Sequence, residues 1–285
     1  MDIKQYRVSD SAEMGRLGEL SYRFIAHLIG LLMGFESLLL CSCCCVSLIY
    51  GEKDMMSFVI SFAICLSASA LLMVIGQKKK SAISRYEGYI VVGLSWVFFT
   101  IFGMLPYLIG GYIPSVTDAF FETMSGFTTT GATILDNIES MPHGILFWRS
   151  LTQWIGGLGI VFFTIVLMPG FGASSQMLYL SEATGVTHNK LYPKTRVMAR
   201  YIFVVYILLT AIESVLLKIG GMSLYDAICH SMTTTATGGF STKQESIAYW
   251  HSSYIEYVVS GFMLLSAINF SISIVACKGG WKQIW

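Results

Sequence analysis

Long apolar runs alternate with short polar segments along this chain. Residues 24–50 form the first run, which Glu36 interrupts, and residues 57–76 form a second run without any charge. No charged residue occurs from 88 to 117, a stretch long enough for one tilted helix followed by a loop. Because a membrane-spanning helix needs about 20 predominantly apolar residues, each of these runs predicts a spanning helix.

The alternation continues through the second part of the chain. Residues 150–181 are uncharged, and a basic segment at 182–200 follows them. The next apolar run, 201–217, contains Glu213, and the last uncharged run covers residues 257–277. These runs predict three more spanning helices.

Two further apolar segments are too short to span. Residues 119–127 lead into a loop of threonines and a glycine that ends at Thr133, and residues 226–241 repeat this pattern. Asp-Ala stands at the start of both, at 118–119 and at 226–227, and a methionine follows six residues after each aspartate. Non-helical backbone is tolerated at membrane depth only where protein buries it or where it lines a watery cavity. The two Thr/Gly loops are therefore predicted to line an ion pathway, the alternative being polar outer loops rich in hydroxyl groups.

This internal repeat determines the predicted fold. We expect an all-α integral membrane protein with a two-helix leader and two copies of a helix, short re-entrant helix, Thr/Gly loop and helix. The predicted boundaries are an N-terminal arm at 1–23, the leader at 24–85, the first repeat at 86–181, a loop at 182–196, the second repeat at 197–277 and a tail at 278–285.

Composition agrees with a membrane protein and suggests its orientation. Hydrophobic residues make up 54% of the chain and charged residues 12%, against about 25% charged in ordinary soluble domains. The formal net charge of +1 gives no indication of nucleic-acid binding. Most lysines and arginines fall in the arm, at 77–88, at 182–200 and in the tail. The positive-inside rule then places the N-terminus in the cytoplasm, so both Thr/Gly loops face outward.

The Thr/Gly loops carry the chemistry that a potassium ion requires. Potassium gives up its hydration shell only where oxygen atoms replace it at similar energy, as carbonyl and threonine hydroxyl groups can. Glycine lets successive carbonyls point toward one axis. The adjacent glycines of the second loop leave its register open by one residue. The predicted filter residues are Thr129, Thr130, Gly131 and Ala132 in the first loop and Ala236, Thr237, Gly238 and Gly239 in the second.

Several other polar residues invite an interpretation. Asp118 and Asp226 are expected to cap the short helices, since Asp is a preferred N-cap residue. Glu122 either adds negative field near the pore mouth or tethers its helix through hydrogen bonds. Glu36 is expected to be a buried packing partner. The cysteine cluster at 41–45 is expected to supply small packing residues rather than metal ligands or disulfides.

In the two Thr/Gly loops and in several segments around them, the chain resembles the Trk/Ktr/HKT superfamily of potassium transporters, and in detail the bacterial Trk-type membrane subunit. The resemblance implies a potassium-selective pathway of four helix–pore–helix repeats in pseudo-fourfold arrangement, with filter roles on the eight loop residues. It also implies a homodimer in the bacterial inner membrane, a cytosolic nucleotide-binding regulatory subunit, and potassium as substrate without a cofactor. The segments that carry the resemblance are 125–133, 148–159, 182–185, 190–194, 235–242, 255–259 and 268–270.

The chain departs from that family because it carries only two of the four repeats. We expect a truncated chain, since the sequence stops soon after a helix, although paired half-chains would also close a ring. The alternative function is a non-conducting membrane scaffold that binds a cytosolic partner through Lys190, Lys194 and Arg196. An enzyme is not expected, because the five histidines are scattered and no nucleophile elbow, phosphate loop or HExxH motif occurs.

Overall fold

The computed structural model describes residues 21–76, 85–159 and 195–268, and within these ranges regular structure is entirely helical. Four segments there are long and apolar enough to cross a membrane. They are Tyr22–Tyr50, Met55–Ile75, Glu87–Ile109 and Arg200–Ile219. Most of the N-terminal arm, the basic cluster at 77–80, most of the predicted spanning run at 150–181, the loop at 182–194 and the tail lie outside the described residues. Most of the charges that predict the orientation lie outside them too.

The leader is a helical hairpin. Helix α1 covers Tyr22–Tyr50 and α2 covers Met55–Ile75. Gly51 ends α1 with a φ of 66°, a left-handed conformation that glycine adopts at little cost. Small residues let the two helices approach closely, and the Ser69 hydroxyl donates a hydrogen bond to the Gly30 carbonyl oxygen at 2.6 Å.

Glu36 lies buried inside this hairpin. Its side chain is 1% exposed, and its Oε2 atom is 3.9 Å from Sγ of Cys65 on α2. This position fits the packing interpretation. The six cysteines of the described residues are free thiols; Cys43 is buried, whereas Cys41 and Cys45 lie on the exposed face of α1.

The first repeat contains one long helix, a single helical turn and two shorter helices. Helix α3 covers Arg85–Gly103, and a single turn, α4, continues it at Leu105–Ile109. The short helix α5 covers Val116–Phe127, and α6 covers His143–Gly157. Helix α6 begins seven residues before position 150, where the uncharged run that predicts it starts. The polar side chains of its first two turns are buried or paired, so they can lie within the helix.

The second repeat has the same order of elements. Helix α7 covers Thr195–Ile219, the short helix α8 covers Leu224–Thr235, and α9 covers Ser253–Ala267. Both short helices have 12 residues. A helix of that length spans about 18 Å, which is far less than the roughly 30 Å of a bilayer core.

The two aspartates predicted as N-caps occupy a different position. Ser115 caps α5 and Ser223 caps α8, and each serine oxygen accepts the N–H of the aspartate three residues later. The prediction for Asp118 and Asp226 is therefore wrong. The helices begin two residues before these aspartates, which stand at the third helical position, where an acidic side chain still favours the positive end of the helix.

The main apolar core joins the leader to the first repeat. Trp148 of α6 is fully buried in it, and its Nε1–H donates to the Gly103 carbonyl oxygen at 2.8 Å. Phe127, the last residue of α5, packs edge-on against Trp148 at 6.1 Å between ring centroids. The end of α5 is thus held by the core from which the first Thr/Gly loop departs.

Candidate functional site

The two Thr/Gly loops have the same backbone conformation. Each loop has a threonine with positive φ shortly after its short helix, Thr129 at 53° and Thr237 at 55°. Two positions later each has a glycine with positive φ, Gly131 at 77° and Gly239 at 84°. Since positive φ is uncommon for threonine, its recurrence at matching positions indicates that the backbones of the two loops turn in the same way.

Backbone hydrogen bonds repeat in the same way. The Thr130 N–H donates to the Ser125 carbonyl oxygen at 3.0 Å, and the Gly238 N–H donates to the Thr233 carbonyl oxygen at 2.8 Å. Each bond folds the start of a loop back onto the last turns of its short helix. Thr130 and Gly238 therefore occupy the same place in the two loops.

This correspondence decides the register that the sequence leaves open. Gly131 is the counterpart of Gly239 and not of Gly238. Ala236 is the counterpart of Thr128, and both residues terminate their short helices. The predicted second set, 236–239, therefore starts one position too early relative to 129–132. Two adjacent glycines look alike in the sequence, and only the backbone conformation distinguishes them.

The loops touch at their glycines. A Cβ atom on Gly131 would overlap the carbonyl oxygen of Gly238, and a Cβ atom on Gly238 would overlap the side-chain amide of Gln153. Glycine at 131 is thus required both by its positive φ and by the neighbouring loop. The structure brings the two predicted groups of filter residues together.

The predicted filter residues differ in their surroundings. The Ala132 carbonyl oxygen accepts the Ser125 hydroxyl at 2.6 Å, so this carbonyl is turned toward α5. The hydroxyl oxygens of Thr128 and Thr130 are 2.9 Å apart on the open side of the first loop. Of the eight residues, Thr130, Ala132, Thr237 and Gly239 are exposed, Thr129 and Gly131 are half-buried, and Ala236 and Gly238 are buried.

Each short helix anchors its own loop through one buried polar side chain. The Glu122 carboxylate accepts the Thr133 hydroxyl at 2.9 Å and the Ile134 N–H at 3.0 Å. At the matching position of α8, Nε2 of His230 is hydrogen-bonded to the Ser241 hydroxyl at 3.0 Å. Of the two interpretations of Glu122, these bonds support the tether.

Arg149 of α6 connects the two loops. Its Nε–H donates to Oε1 of Glu122 at 2.8 Å, and its Nη1–H donates to the Ser241 carbonyl oxygen at 3.1 Å. The guanidinium carbon lies 4.2 Å from the centre of the Phe240 ring, a cation–π contact. Sequence reasoning assigns no role to Arg149, although a charged residue within a membrane helix is a signal of function.

The C-terminal half of α6 is fitted against both loops. A Cβ atom on Gly156 would overlap the Phe127 carbonyl oxygen, and one on Gly157 would lie 2.9 Å from Cα of Ala236. Oε1 of Gln153 accepts the Phe240 N–H at 3.0 Å. Gly156 and Gly157 therefore lie close against the ends of both short helices.

A cavity of about 410 Å³ borders the second loop. Thr233, Thr237 and Gly239 line one side of it, and Val259 and Met263 of α9 line the other. No three His, Cys, Asp or Glu side chains of the described segments come close enough together to hold a metal ion. The Thr/Gly loops themselves present threonine hydroxyl groups and backbone carbonyl groups, whose oxygens suit a weakly bound monovalent cation.

Comparison with known proteins relates this geometry to a family. The family model for TrkH, cation transport protein, matches residues 54–280. The Trk system potassium uptake protein TrkH of Halomonas elongata is 35% identical over 266 residues, which cover 93% of this chain and 54% of that protein. The Escherichia coli protein TrkG is 36% identical over 256 residues, which cover 88% of this chain and 52% of that protein.

The fold is also found in a solved relative. The crystal structure of the potassium transporter TrkH from Vibrio parahaemolyticus matches with a TM-score of 0.76 at 33% identity, covering 92% of this chain and 53% of that chain. The chain thus spans about half the length of the relatives it matches. Since the family model covers most of its residues, the chain belongs to the TrkH family of cation transport proteins, which are membrane transporters and not enzymes.

Proposed function

We propose that this chain supplies part of a potassium-selective pathway, and that the two Thr/Gly loops form adjacent parts of its filter. The observation that carries the proposal is the contact at Gly131 and Gly238 between two loops whose positive-φ residues correspond. Relatives whose names describe potassium uptake, with 35% identity over 93% of this chain, support the same ion.

The segments 129–131 and 237–239 line the pathway in this proposal. Each follows the C-terminal end of a short helix, whose carbonyl groups carry about half a negative charge and attract cations. Ala132 and Ala236 flank the lining: the first is turned toward α5 by its bond from Ser125, and the second ends α8. Neutral oxygens in this arrangement replace the hydration shell of potassium without binding it too tightly to leave.

The two repeats would form half of a pseudo-fourfold ring. The other half comes either from further residues of the gene product or from a second copy of the chain. We further propose that the N-terminus is cytoplasmic, that the protein lies in the bacterial inner membrane as a homodimer, and that a cytosolic nucleotide-binding subunit regulates it. The distribution of lysine and arginine supports the orientation.

Substitution of Gly131 by serine tests the proposal. In the complete gene product, expressed in cells that lack potassium uptake, Gly131→Ser should reduce the preference for rubidium over sodium, because the added side chain meets the second loop. Gly93→Ser is the matched control, since a Cβ atom on Gly93 would meet nothing within 4 Å. Unchanged rubidium and sodium uptake in Gly131→Ser would contradict the filter assignment.

The scaffold alternative makes the opposite prediction. It requires that substitutions in the loops leave function intact, while changes at Lys190, Lys194 or Arg196 abolish binding of a cytosolic partner. The first two of these residues lie outside the described part of the chain. The Gly131→Ser variant therefore distinguishes the potassium pathway from the scaffold.

A further inference from the structure

The turn between α1 and α2 reaches across to the first turn of α6. Oε2 of Glu52 accepts the His143 N–H at 2.6 Å, and Oε1 of Glu52 is 2.8 Å from Nδ1 of His143. The N-cap residue of α6 is Pro142, whose side chain has no oxygen to accept the free N–H groups of the helix. The leader thus supplies the cap that the sequence around α6 lacks.

Aromatic side chains hold His143 from two sides. The Tyr50 ring stacks on the imidazole at 3.9 Å with an interplanar angle of 5°. From α8, the Tyr225 hydroxyl donates to the His143 carbonyl oxygen at 2.6 Å, and its ring meets the imidazole edge-on at 4.8 Å. We call Tyr50, Glu52, His143 and Tyr225 the hairpin clamp. It joins the leader, α6 and the second short helix.

The next residue of α6 fits the hairpin without a gap. A Cβ atom on Gly144 would overlap both the Asp54 carboxylate and the Ser47 hydroxyl. The first turn of α6 therefore has no room to shift along the hairpin unless the clamp opens. Since packed interfaces hold discrete positions rather than deforming continuously, the clamp fixes where α6 begins.

The same helix carries the contacts to both Thr/Gly loops. Arg149 lies six residues after His143, a rise of about 9 Å along the helix axis, and it bonds to Glu122 and to the Ser241 carbonyl oxygen. Gln153 and the glycines that follow it touch the second loop and the ends of both short helices. A displacement of the first turn of α6 would be carried directly to the spacing between the loops.

We propose that the hairpin clamp is a positioning device through which the leader sets the spacing of the two Thr/Gly loops and so the ion selectivity of the pathway. Glu52 and His143 are positioning residues in this proposal, since neither touches the lining segments. The proposal rests on the proposed filter function of the loops.

The test compares Glu52→Ala, Glu52→Gln and Tyr225→Phe in the complete gene product, with Lys53→Ala as the matched control. Lys53 lies on the same turn and is exposed. Initial rubidium uptake is measured in cells lacking potassium uptake, with and without competing sodium, at equal amounts of protein in the membrane. Glu52→Ala should lower discrimination against sodium about fivefold, the lower end of typical coupling between two sites.

The other variants locate the cause of that change. Glu52→Gln keeps an acceptor for the His143 N–H and should restore part of the discrimination, whereas Lys53→Ala should behave as the wild type. Tyr225→Phe removes a single hydroxyl from the opposite side and should lower discrimination even if Glu52→Ala does not reach the membrane. Wild-type discrimination in Tyr225→Phe, or in a Glu52→Ala protein present at normal amounts, would overturn the proposal.

Gly131→Ser in the same assay separates this inference from the function it rests on. If Gly131→Ser changes discrimination and the clamp variants do not, the loops form a filter and the clamp does not position it. If Gly131→Ser has no effect, the filter assignment itself fails, and the clamp proposal fails with it.

Discussion

Arg149 ties groups of both Thr/Gly loops to a single side chain. Its side chain is 2% exposed, and the Glu122 side chain is fully buried. Nη2 of Arg149 lies 2.8 Å from Oε1 of Glu122. Within the low-polarity interior such a pair is stable only while both partners and their hydrogen bonds are present. Arg149 therefore anchors both loops. It holds the first loop through Glu122 and Thr133, and the second loop through Ser241.

Loss of Arg149 should destabilise the protein strongly. Arg149→Met leaves the Glu122 charge buried and unpaired, which costs about 3–5 kcal/mol, so the melting temperature in detergent should fall by many degrees. The double variant with Glu122→Gln should recover part of the loss, because the unpaired charge is gone. Arg200→Met, at an exposed position, serves as control. A wild-type melting temperature for Arg149→Met would refute the shared anchor.

Asp54 gives a pH-dependent prediction. Burial raises the pKa of this carboxyl group, which is 1% exposed at the turn of the leader hairpin. The folded state then binds this proton more tightly than the unfolded state does. The ionised group therefore lowers stability at high pH, and this loss diminishes as the pH falls from the folded pKa toward the unfolded pKa. Asp54→Asn should therefore melt at a higher temperature than the wild type at pH 8, and the difference should shrink as the pH falls.

The control for this experiment is Asp136→Asn, since Asp136 is exposed. Thermal unfolding of the three proteins is followed between pH 5 and 8, roughly the range in which carboxyl groups with raised pKa values titrate. A difference between Asp54→Asn and the wild type that grows toward low pH would contradict the sign derived for Asp54.

At the scale of elements, α6 organises the site. Its 15 residues begin at the leader turn and end against both short helices. Gly156 is the closest point, since a Cβ atom there would overlap the Phe127 carbonyl oxygen. A backbone atom cannot move aside as a flexible side chain would, so even one methyl group must displace the helix.

Gly156→Ala should cost about 1–3 kcal/mol, the usual effect of adding a methylene-sized group to a tightly packed site. Gly93→Ala should have no such effect, because nothing lies within 4 Å of its added Cβ atom and alanine favours a helix over glycine by about 1 kcal/mol. The melting temperatures of the two purified variants, compared with the wild type, test both expectations. Equal melting temperatures for Gly156→Ala and Gly93→Ala would show that α6 does not press on the end of α5.

The elements themselves could be predicted from the sequence to a large extent. The apolar runs indicate the long helices, and the shared Asp-Ala start at 118 and 226 reveals the repeat. Helix ends are less visible in the sequence. The caps are Ser115 and Ser223, which lie three residues before the aspartates that the sequence favours as caps.

Contacts between distant elements could not be predicted. Glu52 and His143 are 91 positions apart, and Arg149 and Ser241 are 92 positions apart. Nothing in the local pattern around either pair records its partner, because the pairing depends on how whole helices pack. The register of the second loop is ambiguous for a local reason, since Gly238 and Gly239 differ only in backbone conformation.

At the scale of the whole molecule, the described residues contain two copies of one unit. The copies share a capped short helix of 12 residues, a threonine and a glycine with positive φ, and a buried side chain that anchors the loop. The anchors differ in chemistry, Glu122 in one copy and His230 in the other. Similar backbone with different anchors agrees with the proposed filter. The proposed lining needs similar carbonyl directions in both copies, whereas the side chains that anchor the loops are free to differ.

We propose the two loops as equivalent parts of one potassium-selective lining. The most direct measurement is the ratio of rubidium to sodium flux in proteoliposomes that contain the complete gene product as wild type, Gly131→Ser or Gly239→Ser. The two glycines have matching φ values of 77° and 84°, so both variants should lose preference for rubidium. Wild-type flux ratios in both variants would contradict the claim.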